Sequence, residues 1–445
     1  MIMARTGQPR LDELSPRAAA AAVRRQLDAT DLRAFVRSSP AKLIAMGLLL
    51  LGLCLIAGAV TAATVSNRQQ ALDHLLDQAE PDANSAQRLY TSLSVADAAA
   101  GTAFISGGLE PKPVRDRYTQ AIGDAAAELI TQAATGAGET DARLRTGLST
   151  ELPVYTGVIE TARANNRDGH PVGAAYLSEA SNLMQTTMLP MAQELQEHRS
   201  AAITDIQRRH VQPPWPAIVL PVLALGALVV VQVYLARRWN RMLNPGLLLA
   251  SGTLVILLAW TVIAGSLSAI STTEGRDNGT VPTSDLTESR ILAQQARSAE
   301  TLKLVRRDAS GDYDHTYDDA TAKLTGLLDA YPKHHPGADD VAAARAALDR
   351  WRGAHQRMND ALARGDFPGA AAVAIGSGPS EAAAAVDALD AALANGITKA
   401  RETLRSDISA AARSLDFLSP GAIVLSVVAA LCVLGGLWPR LREYR

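Results

Sequence analysis

The arrangement of apolar runs constrains this chain most, because it occurs twice: an apolar segment, a long polar stretch, a second apolar segment, and then the same pattern again. A helix of about 20 apolar residues crosses roughly 30 Å of hydrocarbon. Four charge-free segments meet that requirement, at 43–65, 215–235, 246–270 and 420–438. They predict an all-α membrane protein with four transmembrane helices. The stretches 66–214 and 271–419 then become two domains on one side of the bilayer.

Basic residues beside the spans set the expected orientation, since short basic flanks stay in the cytoplasm. Arg24, Arg25, Arg33, Arg37 and Lys42 precede the first span; Arg237, Arg238 and Arg241 lie between the second and third; Arg440, Arg442 and Arg445 follow the fourth. The arm 1–42, the loop 236–245 and the tail 439–445 are therefore expected in the cytoplasm. That makes a multi-pass cell-membrane protein with both termini inside and both large domains extracytoplasmic. Trp215, Trp239 and Trp438 stand where interfacial anchors belong. The net charge of −2 supplies no field for nucleic acid. Cys54 and Cys432 both fall inside spans, so the outside domains must hold by packing without a disulfide.

Outside the spans the periodicity is helical. Val386, Leu389, Leu393, Ile397, Ala400, Leu404, Ile408, Ala411 and Leu415 step by threes and fours toward the fourth span, and Met184, Met188, Met191, Leu195, His198 and Ala202 do the same ahead of the second. Breakers cut each domain into four helices: Pro81, 106–113, 135–138 and 165–171 in the first, Pro282, Gly311, 331–337 and 365–368 in the second. Their shared order predicts two tandem extracytoplasmic four-helix bundles with up-down-up-down topology. Local echoes support the duplication, including Tyr155-Thr156-Gly157 beside Trp351-Arg352-Gly353. Helix one of each bundle is expected to be interrupted at 80–82 and at 278–282. The fourth helices would then be the unbroken connections to the membrane.

Chemistry is sparse. No nucleotide loop, histidine-kinase core or nucleophile elbow is present, and the spans carry no ionisable residue of the kind ion-coupled transporters place there. Neither an enzyme nor a cofactor is expected. Asp308, Asp312, Asp314, His315, Asp318 and Asp319 are dense enough to suggest a metal, but they lack the spacing of a calcium loop and read as a solvated helix start. Arg115, Arg117 and Arg163 can grip a carboxylate or can serve as ordinary surface charges. The row Met184, Met188, Met191 reads as core or as an adaptable docking face, and His198 as a packed residue. The turns far from the membrane display Leu109, Glu110, Arg167, His170, Tyr313 and Phe367, which either meet an extracytoplasmic partner or fold back over the bundle core. On the cytoplasmic side Arg24, Arg25, Leu27, Phe35, Arg237 and Arg238 offer docking for an effector, with a helix resting on anionic lipid as the alternative.

Span, four-helix bundle, span resembles the sensor module of bacterial chemoreceptors, without the signalling helices that come after it there. Here one chain supplies what two receptor subunits supply together, and a homodimer of it stays open. The four-span layout, the basic arm and the segments Val95-Ala96-Asp97-Ala98-Ala99-Ala100-Gly101-Thr102-Ala103 and Phe104-Ile105-Ser106-Gly107-Gly108 resemble more closely a family of actinobacterial four-span membrane proteins encoded beside a glutamine-binding lipoprotein and protein kinase G. That resemblance implies a relay. An extracytoplasmic solute-binding lipoprotein senses glutamate, aspartate or their amides, and the membrane protein passes its state to a cytosolic Ser/Thr kinase that controls glutamate metabolism. The residues by themselves support a transmembrane signalling adaptor. The competing readings are an envelope scaffold and a receptor that binds a small molecule directly.

Overall fold

A computed structural model describes residues 39–106, 110–133, 138–211, 214–239, 244–306, 311–376, 378 and 380–442. Every regular element among them is helical, and four helices are long and apolar enough to cross a membrane. The chain is an all-α membrane protein. It divides into two compact units, one formed by 1–66, 214–264 and 417–445, the other by 67–213 and 265–416.

The apolar unit gathers parts of α1 (Ser39–His74), α7 (Trp215–Trp239), α8 (Pro245–Gly275) and α14 (Leu418–Arg442). Leu50, Cys54, Leu228, Leu254, Leu257 and Val433 form its interior. Hydrophobic burial does little to join helices in lipid, so small residues that let backbones approach matter more. A Cβ on Gly246 would lie 2.5 Å from the Cα of Gly436, and one on Gly421 2.6 Å from the ring of Trp260. Asn244 closes the same contact by donating Nδ2–H to the Gly436 carbonyl at 2.7 Å. Trp215 and Trp438 remain largely exposed.

The second unit holds two bundles with separate cores. In the first, α2 (Glu80–Ile105) packs on α3 (Lys112–Ala133) and α6 (Leu189–Val211), while α4 (Glu139–Arg167) packs on α5 (Val172–Leu183) and α6. Leu89, Leu93, Tyr155, Ile159, Met184 and Met188 fill it. Met184 and Met188 are fully buried, so they serve as core. In the second bundle α9 (Val281–Arg306) packs on α10 (Asp312–Ala330) and α13 (Ala382–Arg413), and α11 (Ala338–Ala363) on α12 (Phe367–Ile375) and α13. Leu324, Leu328, Leu348, Trp351, Leu389 and Leu393 form its core. The bundles lie side by side through α2 and α9.

The interruptions expected in the first helices are absent. A π-turn at Leu75–Ala79 joins α1 to α2, and another at Arg276–Thr280 joins α8 to α9. A third, Met184–Met188, joins α5 to α6. Each ends two residues before a proline, at Pro81, Pro282 and Pro190. Proline within an α-helix lacks an amide donor and strikes the carbonyl four residues back. The wider turn relieves this: the amides of Glu80, Leu189 and Val281 donate to the carbonyls of Leu75, Met184 and Arg276, five residues back. Helix and proline thus coexist.

The breaks fall in the fourth helices. α12 ends at Ile375 with Gly376 extended, and α13 begins at Ala382 after an extended Glu381. α6 ends at Val211 and α7 begins at Trp215; α13 ends at Arg413 and α14 begins at Leu418. Phe417, in the latter connection, has φ 62°, a left-handed conformation that costs a residue with a Cβ.

Candidate functional site at the bundle pair

Each bundle buries one carboxylate of its first helix against an aromatic side chain of its third. In the first bundle Asp97 on α2 accepts from Ser181 Oγ at 3.0 Å, Gln185 Nε2 at 2.9 Å and Tyr155 OH at 3.4 Å. All three donors are neutral. Burial therefore pushes the Asp97 carboxyl up to about 6, although these hydrogen bonds oppose the shift. In the second bundle Glu300 on α9 accepts from Trp351 Nε1 at 3.2 Å, meets His355 Nδ1 at 3.0 Å and pairs with Arg297 Nη1 at 2.6 Å. Burial raises this carboxyl too, but the His355 bond, the Arg297 charge and the Trp351 donor outweigh it, so it titrates below the usual range. Tyr155 and Trp351, which the sequence paired as a local echo, both lie on the third helix of their bundle and both donate to a buried carboxylate. Sequence reasoning passed over both acids; a lone Asp in the alanine run around 97 was the available signal.

The seam between the bundles is polar and continuous. Gln185, from the first bundle, reaches both Asp97 and Ser298 Oγ of α9, the latter at 2.8 Å. Glu80 accepts from Arg405 Nη2 at 2.6 Å, and Arg401 donates to Asn84 and Gln87. Burial lowers Arg401 to about 10. Gln207 donates to Thr280 Oγ1 at 2.8 Å. Gly101 supplies the close approach, since a Cβ there would lie 2.4 Å from Thr301 Cγ2.

The three arginines considered as carboxylate grips are engaged within the chain. Arg115 and Arg163 converge on Glu110, at 3.3 and 3.0 Å, and the guanidinium of Arg163 also lies 4.1 Å from the centre of the Tyr118 ring. Arg117 instead crosses to the second bundle and pairs with Asp387 at 2.8 Å. Glu110 is accordingly half-buried under two guanidiniums, whereas Arg167 and His170 are exposed. Tyr313 is half-buried against the second core and faces Arg306 at 5.7 Å; Phe367 is also half-buried. Tyr313 therefore covers part of the second core. Leu109 lies outside the described residues, as do Arg24, Arg25, Leu27, Phe35 and the side chain of Arg238; Arg237 is exposed at the end of α7.

Elsewhere Asp314, from the acidic cluster, is held by Lys303 Nζ at 2.6 Å. Among the described residues no three His, Cys, Asp or Glu side chains group to hold a metal. His198 Nδ1 lies 2.6 Å from Asp141, which also accepts from Arg199.

Residues 71–208, which contain nearly all of the first bundle, match the model of a family described as an actinobacterial sensor domain. The match covers about a third of the chain. No curated protein and no solved structure matches. The first bundle is thus similar to sensor-type actinobacterial domains, and the chain places that bundle in a membrane protein.

Proposed function

We propose that this protein is a non-enzymatic transmembrane signalling adaptor, with its paired bundles outside the cell membrane and both termini in the cytoplasm. The observation that carries the reading is the sensor-domain match over residues 71–208, on a bundle whose first helix continues without interruption from an apolar segment. A domain of that kind serves to report a state across the bilayer. The family resemblance supplies the finer reading: the bundles read an extracytoplasmic amino-acid-binding lipoprotein, and the cytoplasmic segments regulate a Ser/Thr kinase of glutamate metabolism. The exposed Arg167 and His170 at one bundle end and the exposed Arg237 at the end of α7 are the first positions to probe.

Photo-crosslinkers at Arg167, His170 and Arg237 in the native membrane test both faces at once. The reading expects a solute-binding lipoprotein captured from the first two and a kinase from the third. Capture of cell-wall assembly proteins on the outer face, with no cytosolic partner, would favour an envelope scaffold instead.

A further inference from the structure

The paired bundles do not close equally on their two sides. On one side α5 lies over the groove between α2 and α9, and Leu177, Leu302 and Val305 leave about 10 Å³ beside Asp97, room for a single water. There α5 passes through its π-turn into α6 without a break. On the other side the fourth helix of the second bundle is interrupted between α12 and α13, and a cleft of about 360 Å³ remains open between α2 and α3 of one bundle and α9 and α13 of the other. That volume falls within the range of small-molecule sites. The open cleft is therefore where the two sides of the bundle pair differ.

Its floor is apolar, built from Val95, Ala98, Val114, Ala383, Ala384 and Val386. Its charges are balanced and separated: Arg117 stands on the wall of the first bundle, Asp387 and Asp390 on that of the second. Asp390 is already clamped by Arg290 at 2.6 Å and by Gln294, and Arg297 by Glu300 and the Ala374 carbonyl. The Arg117–Asp387 pair is different, because both side chains are 52% exposed. An exposed ion pair contributes little to stability, so opening it is cheap. A ligand that supplies one carboxylate to Arg117 and one ammonium to Asp387 replaces both halves of the pair and leaves no charge uncompensated. A simple anion or cation replaces only one half of the pair and leaves the other to solvent, so it gains one contact where the zwitterion gains two.

We infer that this cleft is a binding site for a small zwitterion with an apolar side chain, an aliphatic α-amino acid in its chemical class. The carboxylate lies on Arg117, the ammonium on Asp387, and the side chain rests on the alanines and valines of the floor. Because walls of both bundles contribute, occupancy favours one spacing of α2 and α9. The site is independent of the lipoprotein proposed above, and either can fail without the other.

The test uses the full chain in detergent or nanodiscs, with L-leucine as probe and thermal unfolding as readout. Leucine is expected to raise the melting temperature in a saturable way. The matched half-ligands, 3-methylbutanoate and 3-methylbutylamine, are expected to act at least tenfold more weakly. Arg117→Gln removes the carboxylate contact and Ala384→Phe fills the floor; each should weaken leucine at least tenfold while the ligand-free protein keeps its melting temperature. Should Ala384→Phe fail to fold, Arg117→Gln and Asp387→Asn, at exposed positions, carry the test. No stabilisation by leucine would overturn the inference. So would equal effects of the half-ligands, an unaltered leucine effect in Arg117→Gln, or glutamate binding more tightly than leucine, since the apolar floor has no place for a second carboxylate.

Discussion

At Asp97 a carboxyl is buried among two hydroxyls and one amide, whereas the buried carboxyl of Glu300 in the second bundle has a guanidinium and an imidazole beside it. The difference fixes opposite responses to pH. Asp97 titrates at about 6 in the fold against 3.8 in an unperturbed chain, so the fold favours its protonated form. Its stabilising contribution is complete below about pH 4 and is lost as pH rises through about 6. At pH 7.5 the ionised acid then costs about 3 kcal/mol, at roughly 1.4 kcal/mol per pH unit. Asp97→Asn keeps the shape and the acceptor, and should stabilise the protein by about 1–3 kcal/mol at pH 7.5, by roughly half as much at pH 5 and by little at pH 4, read by denaturation at the three pH values. Glu300 is held below its usual range, so its contribution is present above about pH 4.5 and is lost as pH falls through its lower folded value. Glu300→Gln leaves Arg297 and His355 buried without their anion and should cost about 3–5 kcal/mol at pH 7.5 in the same measurement. An Asp97→Asn variant less stable than the parent at pH 7.5 would show that the ionised carboxylate is better accommodated than its neutral donors imply.

Among the elements, the π-turns carry the least expected behaviour. The spans were legible because charge-free runs admit few other readings, and the bundle boundaries because Gly and Pro cluster at turns. The same rule misreads Pro81 and Pro282: it treats proline as a break, but an extra residue in the preceding turn lets the helix pass. Nothing in the local sequence announces that residue, because its position is set by which face of α2 and of α9 must reach the core. The arginine partners were illegible for a related reason, as Arg117 and Asp387 are 270 residues apart in sequence. If the wide turn already relieves the proline, Pro81→Ala should shift stability by less than about 1 kcal/mol, whereas proline in an α-helix interior costs about 3 kcal/mol. Deleting the exposed Gln78 should do far more harm. Removal of one residue rotates α2 by about 100° relative to α1, which turns Leu89 and Leu93 out of the first core. Denaturation of the two variants side by side decides the matter, and equal losses would mean that the π-turn is not what sets the register.

For the molecule as a whole, the helices that continue from apolar segments into the bundles are the first ones. α1 leads through its π-turn into α2 and α8 through its own into α9, and α2 and α9 are the pair that joins the bundles. The fourth helices end before the apolar segments begin, at Val211 and Arg413, and the second of these ends is followed by Phe417 in a left-handed conformation. A change in the spacing of the bundles therefore acts first on α2 and α9, while α13 meets a turn. This reverses the route suggested by the apolar seams, which run along α6 and α13 without revealing where those helices stop. Four glycines inserted after Gln70, within α1, should abolish any dependence of cytosolic partner recruitment on the outside state. The same insertion after Ser414, where the chain already turns, should leave that dependence largely intact. Both proteins should reach the membrane at parental levels, because neither insertion adds charge to an apolar segment. Recruitment measured by crosslinking from Arg237 distinguishes the routes: uncoupling by the Ser414 insertion with coupling retained after Gln70 would return the signal to the fourth helices.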